Sequence, residues 1–164
     1  MSERAMREWD AELVAAARAA MGNAYAPYSR FAVGAALRLA DDSILTGANF
    51  ENASLGLSLC AETVAIASAN AAGKLAEIIA IAVIGGPMDA PAADQAAGQA
   101  APAITPCGRC RQIIAEAARL AGRDIRVYCA PLSGEGQATY SASDLLPHAF
   151  SPADLSAGSH LRRT

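Results

Sequence analysis

The spacing and composition of the chain predict three long helices. Over residues 3–21 the apolar side chains form one stripe and the charged residues lie elsewhere, which is typical of a helix packed against a core. The segments 60–72 and 106–121 also have helical composition. A glycine follows each segment where helices commonly end, at Gly22, Gly73 and Gly122. Ser143 is expected to cap a fourth, short helix.

Five shorter aliphatic segments predict strands, at 31–39, 44–48, 78–84, 125–130 and 137–141. The first two form a hairpin across the polar connection 41–43. The third is apolar throughout, as expected of a central strand that is buried on both faces. In the first strand Gly34, Ala35 and Ala36 are small enough for close packing. Because helices separate the strands, we expect an α/β layered domain with parallel crossovers around a central sheet.

Length and composition indicate one compact domain. The chain has 164 residues, of which 53% are hydrophobic, although alanine makes up much of that fraction. We expect a single catalytic domain over 1–155, a long surface loop over 86–105 and a disordered tail over 156–164. Cys129 lies in an apolar predicted strand and is expected to be a core thiol.

Charge limits the partners and the location. A formal net charge of −3 without a basic stripe argues against binding to nucleic acid or to an anionic membrane. No apolar run reaches the ~18 residues of a membrane-spanning helix. Three acidic residues among the first ten do not fit a secretory signal: Glu3, Glu8 and Asp10. We therefore expect a cytoplasmic protein whose cysteines are ligands, catalytic groups or buried thiols rather than disulfides.

Three of the four cysteines fall at predicted helix starts. Cys60 begins one helix, and Cys107 and Cys110 form a C-x-x-C motif at the start of another. Unpaired N–H groups at a helix N-terminus favour the thiolate. Three thiolates could hold a zinc ion and leave its fourth position open for water, as in catalytic sites. The C-x-x-C motif is equally typical of a thioredoxin-type redox pair, so that motif alone leaves both interpretations open.

Longer motifs surround the three cysteines. Cys60-Ala61-Glu62 and Pro106-Cys107-Gly108-Arg109-Cys110 match the signature of the zinc nucleobase deaminases in its all-cysteine form. With further matching segments at 27–36, 47–54, 111–112 and 145–150, the chain resembles the small homotetrameric cytidine deaminases over roughly residues 10 to 155. This resemblance implies a three-layer α/β/α sandwich with a five-stranded mixed sheet, one Zn²⁺ per subunit, and a homotetramer with composite active sites.

The resemblance also implies the catalytic residues. Cys60, Cys107 and Cys110 would bind the zinc ion. Glu62 would be the proton shuttle in the hydrolytic deamination of cytidine and 2′-deoxycytidine, a reaction of pyrimidine salvage that releases ammonia. The residues themselves agree with these roles, because zinc lowers the pKa of its water and a carboxylate two positions from a ligand can take the proton.

Substrate contacts follow from the same resemblance. Asn49 and Glu51 match residues that hydrogen-bond the sugar hydroxyls, and Phe31 matches a ring that packs near the base. Ala61 would offer its backbone N–H to the pyrimidine carbonyl oxygen. Phe150 matches an aromatic residue that reaches the active site of a neighbouring subunit.

Two positions depart from the family pattern. Thr63 stands where many members have an arginine that offsets the negative charge of zinc with three thiolates, and Leu55 stands where many have tyrosine. We expect Arg109 or Arg111, which flank the last cysteine of the motif, to replace that arginine. Arg111 is the first candidate, because a side chain one position past Cys110 stays close to the metal.

Three other functions remain open at this stage. One is deamination of a modified or antibiotic cytosine nucleoside, as in the blasticidin S deaminases, which share the cysteine and glutamate pattern. Another is a thiol redox protein that uses Cys107 and Cys110. A third is a non-catalytic zinc-binding relative, against which Glu62 argues. Metal content separates deamination from redox chemistry: one tightly bound zinc ion per chain favours deamination, and a metal-free, reducible disulfide favours a redox protein.

Overall fold

The computed structural model describes residues 10–89, 102–132 and 136–157. Five strands form one sheet in the order β2-β1-β3-β4-β5. Antiparallel pairs join β1 to β2, β1 to β3 and β4 to β5, whereas β3 and β4 run parallel. The expected five-stranded mixed sheet is therefore confirmed. The strands are β1 (Phe31–Leu39), β2 (Ile44–Ala48), β3 (Ile78–Pro87), β4 (Arg126–Ala130) and β5 (Ala138–Ser141).

Helices cover both faces of the sheet. The helices are α1 (Ala11–Met21), α2 (Ala61–Ala71), α3 (Gly108–Ala121), α4 (Ala142–Leu145) and α5 (Pro152–Ala157). Helix α1 packs against β1 and β3 on one face, and α2 and α3 lie on the other. Side chains of β1 alternate between the two cores: Ala36 packs with the α1 side, while Ala35 and Leu37 pack with the α2 side. This is the predicted three-layer α/β/α sandwich.

Several predicted boundaries differ from the structure. Asp10 caps α1, accepting a hydrogen bond from the Leu13 N–H at 3.0 Å, so this helix begins at Ala11. The expected helix residues 3–9 lie outside the described part of the chain, as do 90–101 of the expected long loop. The predicted cap Ser143 is wrong. Ser141 caps α4 instead, because β5 ends at this residue. The Ser141 hydroxyl accepts the Asp144 N–H at 3.1 Å.

The expected boundary between the domain and its C-terminal tail, after residue 155, falls inside a helix. Helix α5 runs to Ala157 and so includes the first two positions of the expected tail 156–164. The remaining tail residues, 158–164, lie outside the described part. Within the described residues, no helix is both long and apolar enough to cross a membrane.

Two glycines allow the helices to lie directly on the sheet. A Cβ added at Gly34 in β1 would overlap the Ala17 carbonyl oxygen of α1 and lie 2.5 Å from the Met21 nitrogen. A Cβ added at Gly47 in β2 would lie 2.5 Å from the Ala61 carbonyl oxygen at the start of α2. Gly47 therefore sets the distance between the sheet and the first turn of α2.

A buried ion pair fixes the start of α1 to β1. The Arg38 guanidinium donates to both carboxylate oxygens of Asp10 and to Glu12, and its Nη1 donates to the Asp42 carbonyl at 3.1 Å. Arg38 and Asp10 are each 5% exposed. Their charges are therefore satisfied inside the protein rather than by water.

Candidate metal centre and adjoining cavity

The start of α2 and the start of α3 bring three thiols together. Cys60 directly precedes α2, Cys107 directly precedes α3, and Cys110 lies in the first turn of α3. Their sulfur atoms lie within 4.8 Å of one another. The Sγ atoms of Cys60 and Cys107 are 3.8 Å apart. Tetrahedral zinc with Zn–S bonds of about 2.3 Å requires a separation of about 3.8 Å, so the three thiols fit a zinc ion.

Burial differs among the thiols and shifts their pKa values. Burial raises the pKa of Cys60 and of the fully buried Cys110. Burial also raises the pKa of Cys107, but backbone N–H groups of Cys110 and Arg109 and the neighbouring thiols outweigh it and lower the pKa overall. Of the three thiols, only Cys107 has the lowered pKa expected at a helix N-terminus. Burial raises the pKa of Cys129 to about 12, and this residue is the predicted core thiol.

Glu62 lies beside the thiols, in the first turn of α2, and is only 4% exposed. Burial raises the pKa of its carboxyl group. Its side chain borders a cavity of about 240 Å³ that opens next to the thiols. The cavity-lining residues come from β1, the loops around it and the two helix starts: Val33, Asn49, Glu51, Ser58, Leu59, Cys60, Glu62, Ile104, Thr105 and Cys107.

Both predicted sugar-binding residues, Asn49 and Glu51, line this cavity. The Asn49 amide is held by the backbone of β1: its Oδ1 accepts the Val33 N–H at 2.8 Å and its Nδ2 donates to the Phe31 carbonyl at 2.9 Å. Glu51 Oε2 accepts the backbone N–H groups of Tyr28 at 2.9 Å and of Ser29 at 3.2 Å. These contacts fix both polar groups at the cavity wall.

The other three predicted substrate contacts lie outside the cavity lining. Ala61 is fully buried at the first position of α2, and Phe31 is half-buried at the start of β1. Phe150 is 58% exposed. Its backbone is held by a residue whose role the sequence did not reveal: the Gln112 side chain donates to the Phe150 carbonyl at 2.8 Å and accepts the Phe150 N–H at 3.2 Å. The sequence signals for Gln112 were its position two residues past Cys110 and its place in segment 111–112, which contributes to the family resemblance.

The polar residues flanking the thiols have different partners. Arg109 is exposed and donates to the Ser58 carbonyl at 3.4 Å. Arg111 donates to the Pro106 carbonyl at 2.8 Å and also to Thr105 and the Leu145 carbonyl. Among the described contacts, neither guanidinium donates to a sulfur.

Thr63 does contact a sulfur, since its Oγ1 lies 3.7 Å from Cys110 Sγ. Leu55, the second departure from the family pattern, lies in a 3-10 turn, is 70% exposed and does not line the cavity.

Three thiolates would leave a bound zinc ion open to water or substrate, and the cavity next to these thiols is lined by a buried carboxyl group. A metal with an open position next to a group that can carry protons is typical of hydrolytic zinc enzymes. The fold and the site thus place the protein in the class of zinc-dependent hydrolases.

Comparison with known proteins narrows this class. The family described as "Cytidine and deoxycytidylate deaminase zinc-binding region" matches residues 7–122. The cytidine deaminase of Halalkalibacterium halodurans is 42% identical over 143 residues, which cover 87% of this chain and 95% of that protein. The cytidine deaminase of Sporosarcina psychrophila is 37% identical over 145 residues, covering 88% and 93%.

A solved structure agrees with these relatives. The crystal structure of cytidine deaminase from Burkholderia pseudomallei is 40% identical and matches with a TM-score of 0.70, covering 92% of this chain and 100% of that one. The chain therefore belongs to the cytidine and deoxycytidylate deaminase family.

Proposed function

We propose that the protein deaminates cytidine and 2′-deoxycytidine by hydrolysis, forming uridine or 2′-deoxyuridine and ammonia, in cytoplasmic pyrimidine salvage. The observation that carries the proposal is the group of three thiols at zinc-binding distances beside the buried Glu62 and an open cavity. The cytoplasmic location is supported by the cysteines, all four of which are free thiols.

Cys60, Cys107 and Cys110 are the residues that would hold the zinc ion. When bound, zinc supplies a Lewis acid that makes water nucleophilic at neutral pH. Glu62 moves two protons. Its carboxylate accepts one from the attacking water and delivers it to N3 of the cytosine ring as the oxygen adds to C4. It then accepts the remaining proton from the new C4 hydroxyl and delivers it to the amino group, which leaves as ammonia. Burial raises the pKa of this carboxyl group toward the working pH, which favours a group that must both accept and release a proton.

The cavity wall supplies groups suited to a nucleoside. Asn49 uses one N–H and one acceptor position on the β1 backbone, so its amide keeps one of each for the sugar hydroxyls. Glu51 is ionised, because hydrogen bonds from the Ser29 hydroxyl and from the Tyr28 and Ser29 N–H groups lower its pKa, and a carboxylate has further acceptor capacity. Val33 also lines the cavity and would offer an apolar surface to the base.

We also propose that the active enzyme is a homotetramer with composite active sites. The Phe150 side chain is exposed and does not line the cavity of its own chain, while Gln112 holds its backbone in place. Large apolar side chains also remain exposed at Tyr25, Phe50 and Leu57, and such surfaces are typical of contacts between subunits.

Phe150→Ala tests the composite site. The variant should raise KM for cytidine or lower kcat, although the side chain lies outside the cavity of its own subunit. The matched control is Leu120→Ala, which removes another exposed apolar side chain, from α3. A native protein that is monomeric by light scattering at micromolar concentration and fully active would contradict the composite site.

The substrate assignment is tested by comparing turnover of cytidine, 2′-deoxycytidine, 5-methylcytidine, free cytosine and blasticidin S. The proposal predicts efficient turnover of the first two, with one ammonia released per uridine or deoxyuridine formed. Turnover of blasticidin S but not of cytidine or 2′-deoxycytidine would contradict this assignment and identify an antibiotic nucleoside as the substrate.

A further inference from the structure

The Thr63 hydroxyl links α2 to the metal centre. Thr63 follows Glu62 in the first turn of α2, and its Oγ1 reaches Cys110 Sγ on α3 at 3.7 Å. A threonine hydroxyl inside a helix often bonds instead to the carbonyl four residues earlier. Ser68 does so in the same helix, donating to the Val64 carbonyl at 2.9 Å.

Of the three sulfurs, Cys110 Sγ is the one that depends most on a hydrogen-bond donor from the protein. Cys107 is exposed and also receives backbone N–H groups at the start of α3, and Cys60 is only partly buried. Cys110 is fully buried, so water does not solvate its sulfur. The negatively charged Glu62 carboxylate also interacts electrostatically with Cys110 and disfavours its thiolate. Among the described residues, Thr63 is the hydroxyl that contacts it.

The direction of this hydrogen bond follows from metal binding. A cysteine that ligates zinc is a thiolate and has no proton to donate, so the Thr63 hydroxyl must be the donor. Zinc with three thiolates carries a formal charge of −1. A donor on one sulfur withdraws part of that charge and fixes the position of the ligand.

We propose that Thr63 is a positioning residue that donates a hydrogen bond to the Cys110 thiolate and offsets the negative charge of the metal centre. The inference rests on the proposed zinc-dependent function. It assigns to Thr63 the charge-offsetting role that the sequence suggested for Arg111. The Arg111 guanidinium instead binds the carbonyls of Pro106 and Leu145 and the Thr105 hydroxyl.

Thr63→Val tests the proposal, since it keeps the shape of the side chain and removes the hydroxyl. We expect zinc to transfer to a colorimetric chelator about 10-fold or more faster than from the native protein. In the Co²⁺-substituted protein, the sulfur-to-cobalt charge-transfer band should move to lower energy, because the thiolate becomes more electron-rich. Thr63→Ser restores the hydroxyl and should restore both properties.

Ser68→Ala is the matched control, because it removes a hydroxyl from α2 that contacts no sulfur. Native zinc transfer and an unshifted cobalt band in folded Thr63→Val would overturn the inference, as would equal changes in Ser68→Ala. If Thr63→Val does not fold, Thr63→Ala is judged by the same two criteria. A native protein that binds no zinc would instead refute the proposed function.

Discussion

Glu62→Gln is the substitution that best separates catalysis from metal binding and folding. The side chain keeps its length and shape but can no longer take up and release a proton. None of the three thiols is altered, so the protein should still bind one zinc ion per chain. The prediction is an enzyme that is folded, loaded with zinc and almost inactive.

The expected magnitudes follow from the position of Glu62. Loss of a positioned general acid–base typically costs a factor of about 10²–10⁴ in rate, which is about 3–5 kcal/mol of transition-state stabilisation. Stability should change little. The lost interaction of a carboxylate with the first turn of α2 is worth about 0.3–1 kcal/mol, but a neutral amide also avoids the cost of burying a charge at 4% exposure.

The assay is a spectrophotometric measurement of cytidine consumption, run together with zinc analysis and thermal unfolding of the same preparation. Glu116→Gln is the matched control, because this glutamate lies in α3 and pairs with Arg119 on the surface. Turnover above about one per cent of the native rate in zinc-loaded Glu62→Gln, equivalent to less than a 10²-fold loss, would refute the proton-transfer role.

Two further predictions concern the scaffold, both measured by thermal and denaturant unfolding. Arg38→Met should cost about 3–5 kcal/mol because it leaves the buried Asp10 carboxylate without its partner, whereas Lys74→Met, at an exposed ion pair, should change stability little. Gly34→Ala should cost about 3 kcal/mol or more because its Cβ would meet the backbone of α1, whereas Gly56→Ala has open space. Equal effects within either pair would contradict the packing described here.

Much of the metal centre could be predicted from local sequence. Cys60 and Cys107 each precede a helix, and the spacing of Cys107 and Cys110 places two sulfurs on one helical face. Local patterns carry this information because helix starts and i, i+3 spacing are local properties. That the two helix starts meet depends on both helices packing on the same face of the sheet, and the family resemblance supplied this part of the prediction.

Contacts between side chains far apart along the chain could not be predicted from the sequence. Thr63 and Cys110 are 47 residues apart and meet because α2 and α3 lie side by side on one face of the sheet. The predicted role of Arg111 relied on its nearness to Cys110 in sequence, whereas the helix directs the guanidinium to the carbonyls of Pro106 and Leu145.

The partners of Asn49 and Glu51 were equally hidden from the sequence. The resemblance assigned both residues to the sugar hydroxyls, but sequence alone does not reveal that the Asn49 amide bonds to β1 or that Glu51 holds the turn at Tyr28. The choice of Ser141 over Ser143 as the cap of α4 depends on where β5 ends. The partners of Asn49 and Glu51 and the cap of α4 all depend on how distant segments pack and pair in the fold. The local sequence does not show these contacts.

We expect cytidine deamination to require one zinc ion, held by Cys60, Cys107 and Cys110. This requirement is tested most directly by removing the metal with a chelator under reducing conditions and following cytidine turnover as zinc is returned in measured amounts. Activity should rise in proportion to the added zinc and stop rising at one zinc per chain. Full turnover of the metal-free protein, or no turnover at one bound zinc per chain, would contradict it.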